Sequence, residues 1–354
     1  MALRRLQLTD FRCLQTATLE LDPRFTLISG ANASGKTSLL EAIYVLGRGR
    51  SFRTRRLEYL IRRGAQRFIV FGEVERSGHS IPLGVDGSRQ GIRGRIAGRD
   101  ADSLAELTLN LPVQIIDPEV HKLIEEGPMR RRRFLDWGVF HVEPGFVAHW
   151  QRYQQALQQR NAALLAGQTR DLVGAWRADL IRHGLAITAA RSRYAAALGD
   201  IAAAICRNLL GCDLLLTYRR GWPQELDLEE ALDRSWSLDL QRGSTQVGPH
   251  RGELGVRVGG LTAREHVSRG QQKLLAAGLL IAQLRLFPAD APMQPTLLLD
   301  DPAAELDHAH LTTLIEEVLS LRTQLVVTTL HQEFAAFGLP GKRIQIDAGM
   351  LHSL

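Results

Sequence analysis

The segment Gly30-Ala31-Asn32-Ala33-Ser34-Gly35-Lys36-Thr37 has the spacing Gly-x-x-x-x-Gly-Lys-Thr, and each fixed position answers a need of phosphate chemistry. Successive backbone N–H groups of such a loop curl round anionic oxygens, and the positive end of the following helix reinforces them. Lys36 is placed to reach the β and γ phosphates of ATP, and the Thr37 hydroxyl to ligate Mg2+. A metal held this way needs a carboxylate at the end of a neighbouring strand. The run Leu297-Leu298-Leu299-Asp300-Asp301 offers two: Asp300 on the metal side, and Asp301 beside it to polarise an attacking water. Lys36 and Asp301 are therefore the candidate catalytic residues.

A third element is Ser268-Arg269-Gly270-Gln271, with Ser268 placed as the N-cap of a long helix. It stands about thirty residues before the aspartate pair, an order that resembles ATPases of the ABC type. There, a Ser-x-Gly-Gln at a helix start meets the γ-phosphate of nucleotide held by the opposite subunit, so ATP joins a dimer. By the same resemblance, Gln114, in a strand segment from Leu109 to Ile116, matches the glutamine near the metal, giving Thr37, Asp300 and Gln114 as metal-side residues. Ala304-Glu305-Leu306-Asp307 resembles the loop that follows the carboxylates and crosses the dimer interface. Thr328, Thr329 and His331 occupy the γ-phosphate sensing region, where His331 reads equally as an ordinary surface histidine. Glutamate is commoner than aspartate at the Asp301 position in such enzymes. The shorter side chain leaves its reach open.

The elements that must position these residues can be read from periodicity. Residues 2–9, 15–21 and 25–29 read as strands, the last entering the phosphate loop, and Leu39, Leu40, Ala42, Ile43 and Leu46 have helical spacing that stops at Gly47. Strands are expected at 67–74 and 80–86, with turns at Ser77-Gly78 and Asp86-Gly87, forming an antiparallel sheet beside the nucleotide site. Residues 146–166 and 171–210 are rich in alanine and leucine at helical period, and 213–218 and 253–258 are strand-like. A helix from 268 to 287 follows, then a β-α-β unit of strand 296–301, helix 308–321 and strand 324–329. Its nearly continuous apolar strands suit a parallel sheet covered on both faces. The fold class expected is α/β: an ABC-type ATPase head with mixed and parallel sheets, from residues 1–143 and 244–354, plus a mainly helical inserted lobe, 144–243.

With 354 residues and 45% hydrophobic content the chain can fill a sizeable core. Three cysteines without a CxxC pair suggest neither a disulfide framework nor a zinc site, and a reducing cytosol is the expected home. No stretch approaches the length of an apolar membrane span, and the first residues lack the apolar core of a signal peptide. The net charge is +6, unevenly spread. Arginines 48, 50, 53, 55, 56, 62, 63 and 67 are opposed only by Glu58, and Arg130 to Arg133 form a second run. Such clusters suit a polyanion, with DNA or RNA leading. Arg50, Arg53 and the second run fit a role at the nucleotide site or in lobe packing equally well.

At this point the resemblance becomes specific. The chain resembles the RecF family of bacterial DNA repair ATPases in Asp10-Phe11-Arg12, Gly49-Arg50-Ser51-Phe52-Arg53-Thr54, Gly127-Pro128-Met129-Arg130-Arg131 with Phe134-Leu135-Asp136-Trp137, Gln159-Arg160-Asn161, Thr245-Gln246-Val247-Gly248-Pro249-His250-Arg251, Ser268 to Gln271, and Asp300-Asp301 through Glu305-Leu306-Asp307. Cys13 stands where an asparagine is frequent, and Ala33 replaces a common glycine. The resemblance implies that Arg12 and Asn32 approach the phosphates and that Ser268, Arg269, Gly270 and Gln271 act across a dimer. It also implies ATP-dependent dimerisation on double-stranded DNA and at single-strand/double-strand junctions. RecR and RecO partners, and loading of a recombinase at gaps, come with it. Two other classes are distinguishable: a transporter ATPase subunit, which needs a short chain and a membrane partner, and a nucleotide-gated protein scaffold in which weak hydrolysis is incidental.

Overall fold

A computed structural model describes residues 2–76, 78–302, 308–330, 340–347 and 349–353. The expected loop Ala304–Asp307 and His331 lie outside these residues. The chain divides into two compact units, residues 1–120 with 289–354, and residues 121–288.

The first unit begins with strands β1 (Ala2–Phe11), β2 (Leu14–Glu20) and β3 (Phe25–Ser29), helix α1 (Lys36–Arg48), strands β4 (Arg67–Arg76), β5 (His79–Ser88), β6 (Gly91–Ile96) and β7 (Arg99–Asp100), helix α2 (Leu104–Asn110) and strand β8 (Val113–Ile116). The second unit contributes α3 (Lys122–Glu125), α4 (Pro128–Val142), α5 (Phe146–Leu165), α6 (Arg170–Gly174), α7 (Arg177–Leu210), β9 (Leu214–Arg219), α8 (Leu228–Arg234), α9 (Trp236–Arg242), β10 (Glu253–Val258), β11 (Leu261–Thr262), α10 (Ala263–His266) and α11 (Arg269–Arg285). The chain then returns to the first unit with β12 (Thr296–Asp300), α12 (His308–Leu319), β13 (Gln324–Thr329), β14 (Lys342–Asp347) and β15 (Met350–Ser353).

Two six-stranded sheets build the first unit, ordered β2-β1-β4-β5-β6-β7 and β15-β14-β3-β13-β12-β8. The former is antiparallel throughout; the latter is parallel except for its β14/β15 edge. In β12 and β13 every residue is buried, as the uninterrupted apolar sequences demand of strands covered on both faces. Helix α1 is buried from Ser38 to Gly47 because it packs on both sheets, sharing one core with Leu6 and Phe68 on one side and Ile28, Leu298 and Val326 on the other. Gln324 fastens the layers: its side-chain amide accepts from Leu3 N at 3.0 Å and donates to Leu3 O at 2.8 Å, while its own strand lies in the parallel sheet.

The structure departs from the periodicity reading at several places, among them the helical segment 171–210, which a turn at residues 175–176 divides into α6 and α7. Helix α1 runs one residue past Gly47, which sits where a side chain would strike Leu111 O at 2.4 Å, and ends on the left-handed Gly49. Strand β5 continues through Asp86-Gly87 to Ser88, since Gly87 leaves room for the Phe68 ring across the ladder, and the turn falls at residues 89–90. Leu109 and Asn110 close α2 rather than opening a strand.

In the second unit, α7 packs against α4, α5 and α11 and against the three-stranded antiparallel sheet β11-β10-β9. Segments 121–143 and 244–288, expected with the ATPase lobe, therefore belong by contact to this unit. Gln283 of α11 donates to Phe134 O of α4 at 2.8 Å, and β10 pairs with β9 along its whole length.

Candidate nucleotide site

Between β3 and α1, residues 30–37 form the loop that the sequence requires. Glycine is needed at position 30, where a Cβ would lie 2.3 Å from Ile346 O. The Lys36 ammonium folds back over the loop and donates to Gly30 O at 2.6 Å and Ala31 O at 2.8 Å. Burial lowers its pKa from the ordinary lysine value, and the charges of Asp301 and Asp300 act in the opposite direction. Asn32 is exposed on the rim.

The parallel ladder sets the carboxylates. β12 and β13 place Asp300 beside Thr328, and β13 and β3 place Thr328 beside Ile28, so the strand ends converge on the start of α1. Thr37 Oγ1 donates to the Asp300 carboxylate, 3.0 Å from each oxygen, and Thr328 Oγ1 donates to Oδ1 at 2.7 Å. Burial pushes the Asp300 carboxyl above its ordinary range, and the two hydroxyls pull the other way. Asp301 follows in a left-handed conformation, φ 46°, held by N–H donation to Thr328 O at 3.1 Å. Its Oδ1 is buried with no hydrogen-bond partner among the described residues.

Gln114 does not join this group. It is paired in register with Leu297, three residues before Asp300, which is about 10 Å along a strand, and pleating sends it to the opposite face of the sheet. Continuing the register brings Asp117 level with Asp300 instead.

Arg12 reaches a partner that periodicity hid. Its guanidinium makes a two-point ion pair with the fully buried Glu41, Nε–Oε2 2.7 Å and Nη2–Oε1 2.6 Å. Ser51 Oγ donates to the same carboxylate, and Arg53 Nη1 lies 3.6 Å from it. Glu41 is one turn beyond Thr37, and a glutamate inside an otherwise apolar helical stripe was the available signal. Backbone strain marks the same neighbourhood. Of the five described non-glycine residues with positive φ, Asp10, Arg12, Ala33 and Asp301 all lie in these segments, and only Ala97 does not.

Ser268 caps α11 in a reciprocal box: Gln271 N donates to Ser268 Oγ at 3.3 Å, and Ser268 N donates to Gln271 Oε1 at 3.0 Å. All four residues from Ser268 to Gln271 are exposed. A Cβ added at Gly270 would meet nothing within 4 Å among the described residues. Arg269 contacts the buried His121 at 3.1 Å.

Several arginines have structural partners. Arg62 pairs with Asp10 at 2.6 Å, and Arg131 binds Glu253 and the last carbonyls around α3. Arg132 donates to Gly252 O at 2.8 Å. Arg131 and Arg132 thus serve packing within the second unit, and Arg130 pairs with Glu126 at 2.7 Å on its surface, whereas Arg55, Arg56, Arg63 and Arg133 stay exposed. The segments 159–161 and 245–251 also meet there in a buried network: Arg160 pairs with Asp239 at 2.8 Å and donates to Thr245 Oγ1, and Asn161 accepts from Thr245 N at 2.8 Å.

These residues fit a magnesium nucleotide. The loop has the cradle at Gly30, Thr37 and Asp300 present hard oxygens together, and Asp301 keeps one buried oxygen available. No cluster of three or more His, Cys, Asp or Glu suited to a metal occurs among the described residues, so the cation would depend on phosphate and water oxygens as well. No described helix is long and apolar enough to cross a membrane.

The model of the RecF/RecN/SMC N terminal domain family matches residues 2–344. A DNA replication and repair protein RecF of Pseudomonas entomophila (strain L48) is 43% identical over 343 residues, 96% of this chain and 93% of the relative. That of Pectobacterium atrosepticum is 37% identical over 355 residues, 99% and 98%. Among solved structures, the recombination mediator protein RecF-ATP in the RecFOR pathway superimposes with a TM-score of 0.89 at 27% identity, covering 100% of this chain and 97% of that one. An SmcHead bound to the C-winged helix domain of ScpA, at 18% identity and a TM-score of 0.60, shares the fold.

Proposed function

The chain belongs to the RecF family within the RecF/RecN/SMC group, and from that premise we propose that it is an ATP-dependent DNA-binding ATPase of replication and recombinational repair. The observation that carries the reading is the chain of hydrogen bonds Thr37–Asp300–Thr328 set against a complete phosphate loop. Lys36 balances phosphate charge by exchanging the carbonyls of Gly30 and Ala31 for phosphate oxygens. Thr37 and Asp300 hold Mg2+, which draws electron density from the phosphates when bound. Asp301 orients and polarises the attacking water through Oδ1, which has no hydrogen-bond partner among the described residues. Arg12, held by Glu41, presents its positive charge beside the loop.

Ser268, Arg269, Gly270 and Gln271 of a second copy complete the site by closing on the γ-phosphate, so ATP joins two chains and hydrolysis releases them. Their exposure supports this role, since a buried helix tip could not be shared. Double-stranded DNA, including junctions with single strands, is the polyanion that the exposed arginines engage. Phosphate contacts carry little sequence information, so binding is nonspecific and weakens steeply with salt. Mediators of the RecR and RecO type are the partners, and recombinase loading at gaps is the outcome, by likeness to a relative of the RecFOR pathway.

The test is duplex DNA retention with ATP, with a nonhydrolysable analogue and without nucleotide. Retention should need nucleotide, persist with the analogue and vanish in Lys36→Met. Equal retention in all three conditions would refute nucleotide control.

A further inference from the structure

Cys206 stands just before the last turn of α7, and Cys212 follows the helix's left-handed cap at Gly211, so the chain reversal carries the second sulfur back to the first. Their Sγ atoms are 3.7 Å apart. A disulfide needs about 2.05 Å, so closure asks for a shift of under about 2 Å at a helix end. Cys206 is buried and Cys212 half-buried, which opens only one of the two to a dissolved oxidant. Burial also pushes the Cys206 thiol up to about 12, keeping it protonated until an electrophilic sulfur is beside it.

We propose that Cys206 and Cys212 are a reversible dithiol–disulfide pair, a modification site oxidised by hydroperoxides and reset by small thiols. The Cys212 thiolate attacks a peroxide oxygen; the O–O bond breaks, the alcohol or water leaves, and Cys212 becomes a sulfenic acid. The Cys206 sulfur then attacks the Cys212 sulfur. An S–S bond forms, the S–O bond breaks, and the departing hydroxyl takes the Cys206 proton and leaves as water. The two thiols lose two electrons, and the peroxide gains them. Reduction runs by attack of a small thiol on the bridge, a mixed disulfide, and displacement by a second thiol.

The pair bears on a helix that the nucleotide site uses. Ile205, next to Cys206, and Leu209 flank Gly278 of α11, where an added Cβ would lie 3.3 Å from each. Closing the bridge therefore acts on the packing of the helix that begins at Ser268.

The full-length reduced protein, exposed to hydrogen peroxide, alkylated and digested with trypsin without reductant, tests this directly. Cleavage after Arg207 separates the two cysteines. The expected product is one linked peptide pair carrying Cys206 and Cys212, lost on reduction with dithiothreitol and absent from Cys212→Ser. Folded protein that keeps both thiols, that accumulates sulfinic acid at Cys212 without a link, or whose link carries Cys13 would overturn the proposal.

Discussion

Asp301 is the residue on which turnover should depend most sharply. Its backbone is held at φ 46° and its Oδ1 is buried with no partner among the described residues, so the side chain is placed before any water arrives. Asp301→Asn preserves shape and removes the basic oxygen; a fall in ATP turnover of about 100-fold or more is expected, with nucleotide affinity kept and the ATP-bound dimer accumulating. Steady-state phosphate release beside equilibrium nucleotide binding checks it, and unchanged turnover removes Asp301 from the role. Ala33 offers the reverse experiment, because its φ of 62° strains an alanine. Ala33→Gly should raise stability by up to about 1 kcal/mol, as relieved strain outweighs the added freedom of the unfolded glycine. Urea denaturation would reveal it, and a loss of stability would show that the alanine methyl packs usefully.

Among the elements, the loop 245–251 depends on a neutral imidazole. His250 Nε2–H donates to Thr245 O at 2.9 Å, and Nδ1 accepts from Tyr153 OH at 2.7 Å. Burial lowers the His250 pKa to about 4. The unfolded chain titrates near 6.5, so below that pH it takes up a proton that the folded unit refuses. The stabilisation is complete above about pH 6.5 and is lost as pH falls towards 4, on the order of 3 kcal/mol in all. Unfolding midpoints across that range should decline less steeply in His250→Gln than in the parent chain; parallel declines would assign the acid sensitivity to other groups.

The elements also show what could be read from sequence. β3, α1, β12 and β13 were legible because apolar periodicity and the phosphate-loop spacing agree. The position of Gln114 was not, since ladder register is fixed by tertiary pairing and three residues of offset reverse the face. Glu41 was hidden inside an apolar helical stripe, and its partners come from positions 12, 51 and 53, which only folding brings together. The approach of Cys206 and Cys212 follows from a helix cap, a feature that a search for CxxC spacing passes over. The sequence leaves the run Arg130 to Arg133 open between polyanion binding and packing, and for Arg131 and Arg132 folding decides it, because their guanidinium groups bind Glu253 and backbone carbonyls.

At the scale of the whole molecule, the account rests on two copies sharing ATP through the α11 tip. Ser268→Arg removes a cap worth about 1 kcal/mol, so loss of dimer in that variant alone could reflect a frayed helix. Gly270→Ala avoids the difficulty: the added methyl meets nothing within 4 Å among the described residues and raises helix propensity by about 1 kcal/mol. Any defect then arises where a second molecule or its nucleotide approaches. Sedimentation velocity of the wild-type chain and Gly270→Ala, each with ATP and duplex DNA, is the most direct measurement. The account predicts a wild-type dimer that requires ATP and a Gly270→Ala chain that binds ATP but sediments as a monomer; an ATP-dependent dimer of undiminished affinity in Gly270→Ala would contradict it.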